Sequence, residues 1–375
     1  MMKTFRVVPE IFYFDTFQEF AEAFALGEGD LLVTNRWIYD PYIKPLGFEG
    51  AVLFQEDYGS GEPSDQMIDA LIKDARPYTY DRILALGGGT ILDICKILAL
   101  DIEEPSKNLF AGVLVPEQKK QLVAIPTTCG TGSEVTNVVI AEQTELHTKK
   151  GFASDEAFPT MAVLIPEVLQ SLPEYAFVTS SIDALIHGSE SYLSPGATPA
   201  SELFSLEAIR LILNGYEKIY FSGGDPAEQR KAYLKDFCCG ANYAGIAFGN
   251  AGCAAVHAIS YAIGGAFHVA HGEANYQFFT EVFKLYQKKA PEGKIRLLNR
   301  VFAEILGCEE NQVYAALEGR LDRILPRKPL RQYGMKPDQI DLFTDYTLEN
   351  QQRLLKNNYV PLSREEIRAI FEARY

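Results

Sequence analysis

The 375-residue chain is expected to fold as an α/β N-terminal domain built on a parallel sheet, followed by an all-helical C-terminal domain. Three observations lead there. Up to about residue 166, short apolar or β-branched runs alternate with helix-period stretches, the pattern of a parallel sheet wrapped by helices. A glycine-rich turn and a threonine-rich loop each follow one of those runs. From Pro173 onward the strand pattern fades and apolar residues recur at three and four spacing, as on amphipathic helices.

In chain order, the strand candidates are DLLVTN (30–35), GAVLFQED (50–57), DRILALGGG (81–89), KQLVAIPTT (120–128), TNVVIAEQ (136–143) and MAVLIP (161–166), separated by helical patterns such as FDTFQEFAEAFAL and SDQMIDALIKDA. All six are expected in the parallel sheet. Helices are then expected in ELFSLEAIRLILNGYEKIY, GKIRLLNRVFAEIL, QVYAALEGRLDRIL and REEIRAIFEARY. The length exceeds what one core sustains, roughly 250 to 300 residues, which places the α/β domain at 1–166 and the helical domain at 167–375. There is no internal repeat, low-complexity tract or long flexible linker.

An apolar share of 47% with 23% charged residues is ordinary for a globular enzyme. The formal net charge of −15 repels nucleic acid and anionic lipid, so neither is an expected partner. No apolar run approaches the ~20 residues of a membrane helix, and MMKTFRVVPEIFYF does not look like a cleaved leader; a cytoplasmic protein is expected. The six cysteines, Cys95, Cys129, Cys238, Cys239, Cys253 and Cys308, form no CxxC pair and are expected to be reduced.

In DRILALGGGTILDICK an apolar strand runs into Gly87, Gly88 and Gly89, and a helix is expected to start at Thr90 with Asp93 three positions on, close to a capping box. Bare backbone N–H groups and a helix N-terminus are how a pyrophosphate is held. The spacing is not GxGxxG, and three glycines also serve as a tight strand-to-helix turn. In LVAIPTTCGTGSEVT, Thr127, Thr128, Thr131 and Ser133 offer hydroxyls, with Gly130 and Gly132 freeing the backbone. Both loops leave the C-terminal ends of their strands, where open α/β sheets bind ligands, which makes the domain Rossmann-like and a candidate for dinucleotide binding.

In SSIDALIHGSESY, Asp183 and His187 stand four apart on one helix face. GNAGCAAVHAISYAIGG is expected to be a helix ended by Gly264 and Gly265, with Cys253 one turn before His257 and Tyr261. His268 and His271 then fall in a turn before the next helix. Asp183, His187, His257 and His271 together supply one carboxylate and three imidazoles, a set that suits Fe²⁺ or Zn²⁺ and leaves room for a substrate oxygen. Cys253 with His257 is a rival ligand pair, and any single histidine also reads as a core or surface group. His147, in a polar run, is expected at the surface.

In combination these motifs resemble the iron-containing (group III) alcohol dehydrogenase family: GGGTILDICK its glycine-rich loop, PTTCGTGSE its threonine-rich loop, DALIH its first metal motif and VHAISYAIGGAFHVAHG its second. The resemblance spans nearly the whole chain. It implies metal ligands at Asp183, His187, His257 and His271, and nucleotide contacts at Gly88, Gly89, Thr127, Thr128 and Lys149. It also implies a homo-oligomer. Two departures stand out. Many members carry a histidine where this chain has Tyr261, a group that does not titrate near neutrality. Many NAD-specific members carry an aspartate where this chain has Asn35; an amide binds a ribose hydroxyl without repelling a 2′-phosphate as strongly, so NAD is expected with NADP not excluded. GCAAVHAISYAIGGAFHVAHGEAN is most similar to the 4-hydroxybutyrate dehydrogenase branch.

The implied activity is hydride transfer between a nicotinamide and a small alcohol or aldehyde, with 4-hydroxybutyrate and succinate semialdehyde as the expected pair, and butanol, propanediol or lactaldehyde as alternatives within the family. Tyr261 or His268 is the candidate proton relay, and a purely structural role is open for each. A lyase of the 3-dehydroquinate synthase type shares the architecture, but it should surround its metal with Lys and Arg, and none lies close in sequence to the four ligand candidates.

Overall fold

Buried apolar strands alternate with amphipathic helices through the first half of the chain. In the computed structural model, which describes residues 3–103, 105–146 and 148–375, the chain divides into Val7–Leu172 and a second unit made of Pro173–Tyr375 with the segment up to Arg6. His147 lies outside the described residues. The division falls a few residues beyond the expected boundary at 166, because the turn Pro166–Leu169 buries Val168 and Leu169 within the α/β unit.

That unit holds strands β1 (Glu10–Tyr13), β2 (Asp30–Thr34), β3 (Ala51–Phe54), β4 (Arg82–Gly87), β5 (Gln121–Pro126), β6 (Val138–Gln143), β7 (Thr148–Ala153) and β8 (Met161–Leu164). Six of them form one sheet in the order β1-β8-β5-β4-β2-β3, with every pair parallel. β2, β4 and β5 are almost wholly buried, as strands covered on both faces must be. Helices Asp65–Ala75 and Gly89–Leu98 contribute Ile68, Leu71, Ile91 and Ile94 to the core that contains Leu31, Val33, Ile83 and Ala85. The neighbours β2 and β4 lead to strands on opposite sides, β3 and β5, so their C-terminal ends flank a switch point. Asn35 follows β2, and Gly87 to Gly89 close β4.

Two elements differ from expectation. EIFY forms the edge strand β1, which is too short and too exposed to carry a recognisable pattern. TNVVIAEQ does not join the parallel sheet: β6 pairs antiparallel with β7 in a separate two-stranded ribbon. β7 reads TKKGFA, in which only Phe152 is buried, so only its partner looked like a strand.

The helix after the glycines begins at Gly89, and its N-cap is Gly88 with no side-chain cap. The expected capping pair does not form. Thr90 Oγ1 instead donates to Gly61 O at 2.9 Å, and the Asp93 carboxylate accepts from Ser133 Oγ and from Lys96 Nζ at 3.2 Å. Lys96 is fully buried; its ammonium also donates to Ser133 Oγ at 2.6 Å and Val138 O at 2.9 Å. This strut ties the helix behind the glycines to the end of the threonine loop.

In the second unit, helices Glu174–Leu193, Pro199–Tyr216 and Pro226–Ala251 pack on one another. Helices Ala255–Phe267 and His271–Lys289 pack together, and the latter lies against Glu174–Leu193. Pro226–Ala251 and Ala255–Phe267 meet at a 106° bend where Gly252 takes φ 81°. Cys253 therefore sits in a corner, not one helical turn before His257. Gly264 and Gly265 do not end the second of these helices; it runs on to Phe267, whose ring meets Phe343 edge-on at 5.9 Å. Glycine inside a helix costs only about 1 kcal/mol, and this packing outweighs it. His268 takes the left-handed cap at φ 53°, a conformation histidine tolerates better than most residues. His271 opens the next helix and does not lie in the turn before it. No single helix among the described residues is long and apolar enough to cross a membrane.

Lys96→Ala removes the strut and leaves Asp93 short of its cation. Breaking a buried pair in this way is expected to lower unfolding stability by roughly 3 kcal/mol, measurable as a lower denaturation midpoint with an unchanged slope.

Candidate metal centre

Three helices deliver the expected ligand atoms to one point. Glu174–Leu193 carries Asp183 and His187 on one face, Ala255–Phe267 carries His257 in its first turn, and His271–Lys289 carries His271 as its first residue. Potential ligand atoms of the four lie within 4.8 Å of one another. Asp183 Oδ1 is 3.9 Å from His187 Nε2, 3.5 Å from His257 Nε2 and 3.8 Å from His271 Nε2. Bonds of about 2.1 Å in a tetrahedral site put ligand atoms roughly 3.4 Å apart, so this spacing is close to that of a cation cage. His257 Nε2 is buried and makes no hydrogen bond, which a cation would explain. Asp183, His187 and His257 are buried while His271 is partly exposed, so the cluster opens on the His271 side.

Close helix approach makes this convergence possible. A Cβ on Gly272 would collide with the carbonyl oxygen of Thr179 and crowd Asp183 Cβ; only glycine lets the helix of His271 press against the helix of Asp183. His187 stacks between Phe248, with ring centroids 4.2 Å apart, and His257 at 4.6 Å.

Two supporting groups escaped the sequence reading. Glu190, buried on the helix of Asp183 and His187, accepts from His257 Nδ1 at 2.6 Å. It also accepts from the backbone N–H groups of Ala254 (2.9 Å) and Val256 (2.6 Å). One carboxylate thus caps the helix of His257 and fixes that imidazole with Nε2 turned toward Asp183. Asn275 Nδ2 lies 2.7 Å from Asp183 Oδ1 and 3.2 Å from His271 Nε2, and Ser260 Oγ donates to Asn275 Oδ1. The signal for Glu190 was its place one turn after His187 in HGSE, and for Asn275 one turn after His271.

Glu190, Cys253 and His257 form a second close set. Burial pushes the Cys253 thiol well above its usual range, and the Glu190 and Asp183 charges push it the same way. In this triple Glu190 is already hydrogen-bonded to His257 Nδ1, so the two sets share His257 through opposite ring nitrogens. Tyr261 lies beside the cluster, its ring centroid 5.9 Å from that of His271. His268 is exposed at its helix cap and stands outside the four-residue cluster.

Burial raises the Asp183 carboxyl, but His187, His271 and His257 more than reverse this and hold it well below the carboxylate range. For His257 burial disfavours the charge, yet Asp183 and Glu190 prevail and lift it from 6.5 to about 9.

The sequence pattern of iron-containing alcohol dehydrogenases matches residues 11–166, and that of the C-terminal part of the Fe-containing alcohol dehydrogenase family matches residues 177–375. The chain belongs to the iron-containing alcohol dehydrogenase family. Among relatives of this family member, 4-hydroxybutyrate dehydrogenase of Clostridium kluyveri is 51% identical over 374 residues, covering 100% of both chains. Long-chain-alcohol dehydrogenase 1 of Geobacillus thermodenitrificans is 32% identical, covering 92% of this chain and 88% of its own. In fold, the chain is similar to sulfoacetaldehyde reductase from Bifidobacterium kashiwanohense, solved with NAD+, at TM-score 0.86 and 23% identity over 100% of this chain and 99% of that one. It is also similar to a 1,3-propanediol oxidoreductase, at TM-score 0.83 and 23% identity over 100% of both.

In this alcohol dehydrogenase the expected nucleotide residues occupy the C-terminal edge of the parallel sheet unevenly. Gly88, Gly89, Thr128 and Thr131 are partly exposed there; a Cβ on Gly89 would come within 2.8 Å of Thr131 Cγ2, so the two loops touch. Thr127 is fully buried, and its backbone N–H is spent on Gly87 O at 3.0 Å. Asp93 is turned away into the Lys96 strut. Lys149 lies on β7, exposed and paired with Glu62. Asn35 Nδ2 donates to Glu56 Oε2 at 2.8 Å, which brings a carboxylate to the place where the sequence lacked one.

Glu190→Gln keeps an acceptor but loses the charge that holds His257. Metal affinity should fall about 10- to 100-fold, read by competition with a chelator. A second expectation concerns pH. A ligand imidazole must be neutral, and His257 in the metal-free protein keeps its proton up to about pH 9. Metal affinity should therefore rise between pH 7 and about 9 with proton release, seen by calorimetry in buffers of different ionisation enthalpy. For the metal-free fold the sign is opposite: stabilisation by protonated His257 is full below 6.5 and lost as pH climbs through about 9.

Proposed function

We propose that this chain is a divalent-metal-dependent, NAD-linked 4-hydroxybutyrate dehydrogenase, interconverting 4-hydroxybutyrate and NAD⁺ with succinate semialdehyde, NADH and a proton. The observation that carries this is the full-length 51% identity to the Clostridium kluyveri enzyme of that name. The converging carboxylate and imidazoles supply the chemistry the reaction needs. Asp183, His187, His257 and His271 would hold Fe²⁺, with Zn²⁺ accepting the same donors. The cation, when bound, supplies a Lewis acid for the substrate oxygen.

The chain's own residues do the rest. Glu190 holds His257 in the orientation that exposes Nε2, and Asn275 holds Asp183 and His271 in register. On the open His271 side, Tyr261 is the residue we propose as a hydrogen-bond relay for the alcohol proton, supported by its ring centroid 5.9 Å from that of His271. His268, the other relay candidate, stands outside the four-residue cluster, which favours Tyr261. The glycine and threonine loops, with the N-terminus of helix Gly89–Leu98, offer backbone donors to a pyrophosphate. Glu56 beside Asn35, with Arg36 already forked onto Asp57 through two 2.7 Å hydrogen bonds, disfavours a 2′-phosphate and supports NAD over NADP. None of the six cysteines forms a disulfide among the described residues, which supports a reducing, cytoplasmic setting. A 3-dehydroquinate synthase-type lyase finds no support, since the family matched over both halves of the chain is one of dehydrogenases.

The test is NADH and NADPH oxidation by purified protein, anaerobically with Fe²⁺ or Zn²⁺, on succinate semialdehyde, butyraldehyde and lactaldehyde. Fastest turnover with NADH and succinate semialdehyde is expected; equal rates on the three aldehydes would overturn the substrate assignment. Asp183→Ala and His271→Ala should abolish turnover while NADH binding, followed by fluorescence, persists. Normal activity in metal-free His271→Ala would sink the metal mechanism.

A further inference from the structure

A substrate whose far end is a carboxylate needs a cation near the metal centre, and the sequence named none. The metal-bearing corner offers one. Cys253, within 4.8 Å of Glu190 and His257 in ligand-atom spacing, borders the cluster. Over this corner lies the short helix Gln352–Leu355. Its Leu354 is buried against Cys253 and Ala258, and Leu355, Phe248 and Tyr261 pack on the same group. Asn357 Nδ2 donates to Cys253 O at 2.9 Å, and a Cβ at Gly252 would run into the Asn357 amide. The segment is therefore seated closely on the turn that leads into His257.

Arg353 stands on this helix between an exposed glutamine and the two leucines. Its side chain is exposed, and its guanidinium makes no hydrogen bond or ion pair among the described residues. The adjoining Leu355 packs on the same group as Tyr261, whose ring centroid is 5.9 Å from that of His271, so this short helix borders the open side of the cluster. In a protein of net charge −15, Arg327 and Arg364 are forked onto carboxylates, whereas the Arg353 guanidinium is left open to a ligand's carboxylate. Guanidinium binds carboxylate through two parallel N–H donors.

From this placement we infer that Arg353 binds the carboxylate of a short ω-hydroxy acid or its semialdehyde, with the intervening methylenes lying along Leu355 and Tyr261. The inference rests on the proposed activity and names the group that makes it selective for an acid over a plain alcohol. Arg353 sets specificity and takes no part in hydride or proton transfer.

The experiment compares wild type, Arg353→Gln and Arg353→Lys on succinate semialdehyde and on butyraldehyde, with metal content and NADH binding measured for each. Loss of one charged hydrogen-bonding partner should lower kcat/KM for succinate semialdehyde about 10- to 100-fold in Arg353→Gln, mainly through KM, and leave butyraldehyde within about twofold. Arg353→Lys should recover part of the loss. If wild type favours succinate semialdehyde and Arg353→Gln keeps that preference, the inference falls while the proposed activity stands. Equal loss on both aldehydes also overturns it, since the role would then be structural. A wild type with no preference between the aldehydes overturns the proposed activity, and the inference with it.

Discussion

The Asp183 carboxylate is buried among three imidazole nitrogens 3.5 to 3.9 Å from one of its oxygens. A charge out of water is tolerated only when paired, hydrogen-bonded or bound to a cation, and much of the helical unit is arranged to meet that demand. Gly272 lets one helix press against another at this point. Asn275 spans Asp183 and His271, and Glu190 caps one helix from the interior of a second. Packing and site chemistry are here the same set of contacts, so a change in either is felt in both.

The α/β unit depends on a different rule. Its sheet is parallel and covered on both faces, so the strand ends that meet solvent are the C-terminal loops. The buried Lys96 holds the helix behind the glycines to the end of the threonine loop. Rigid loops keep their backbone donors in place for an anion, which reduces the ordering cost of binding. After β2 stands Asn35, and its amide is held by the Glu56 carboxylate that follows β3.

Tyr261 and Arg353 mark where this chain carries its own character. The tyrosine replaces a titratable imidazole with a phenol beside His271, so proton movement there cannot depend on a group that ionises near neutrality. The arginine rides on a short helix that shares Tyr261's apolar contacts. Tyr261 is the proposed group for the hydroxyl proton and Arg353 the inferred one for the carboxylate.

Periodicity carried the division into an α/β and a helical part and the main parallel strands, because these depend on residue types repeated at fixed spacing; the one acid and three histidines were named by residue type and by resemblance, and only the fold brings them together. The ends of elements were another matter. Gly264 and Gly265 looked like a stop, yet Phe267 packing on Phe343 carries the helix past them; Asp93 looked like a cap, yet a buried lysine from its own helix claims it. TNVVIAEQ had a strand's pattern, but its partner β7 is too polar to announce itself, so the antiparallel ribbon was invisible. Glu190, Asn275 and Glu56 had at most a one-turn spacing to announce them, for a common reason: each holds a residue distant in the chain, and only the folded backbone brings the pairs into hydrogen-bonding range.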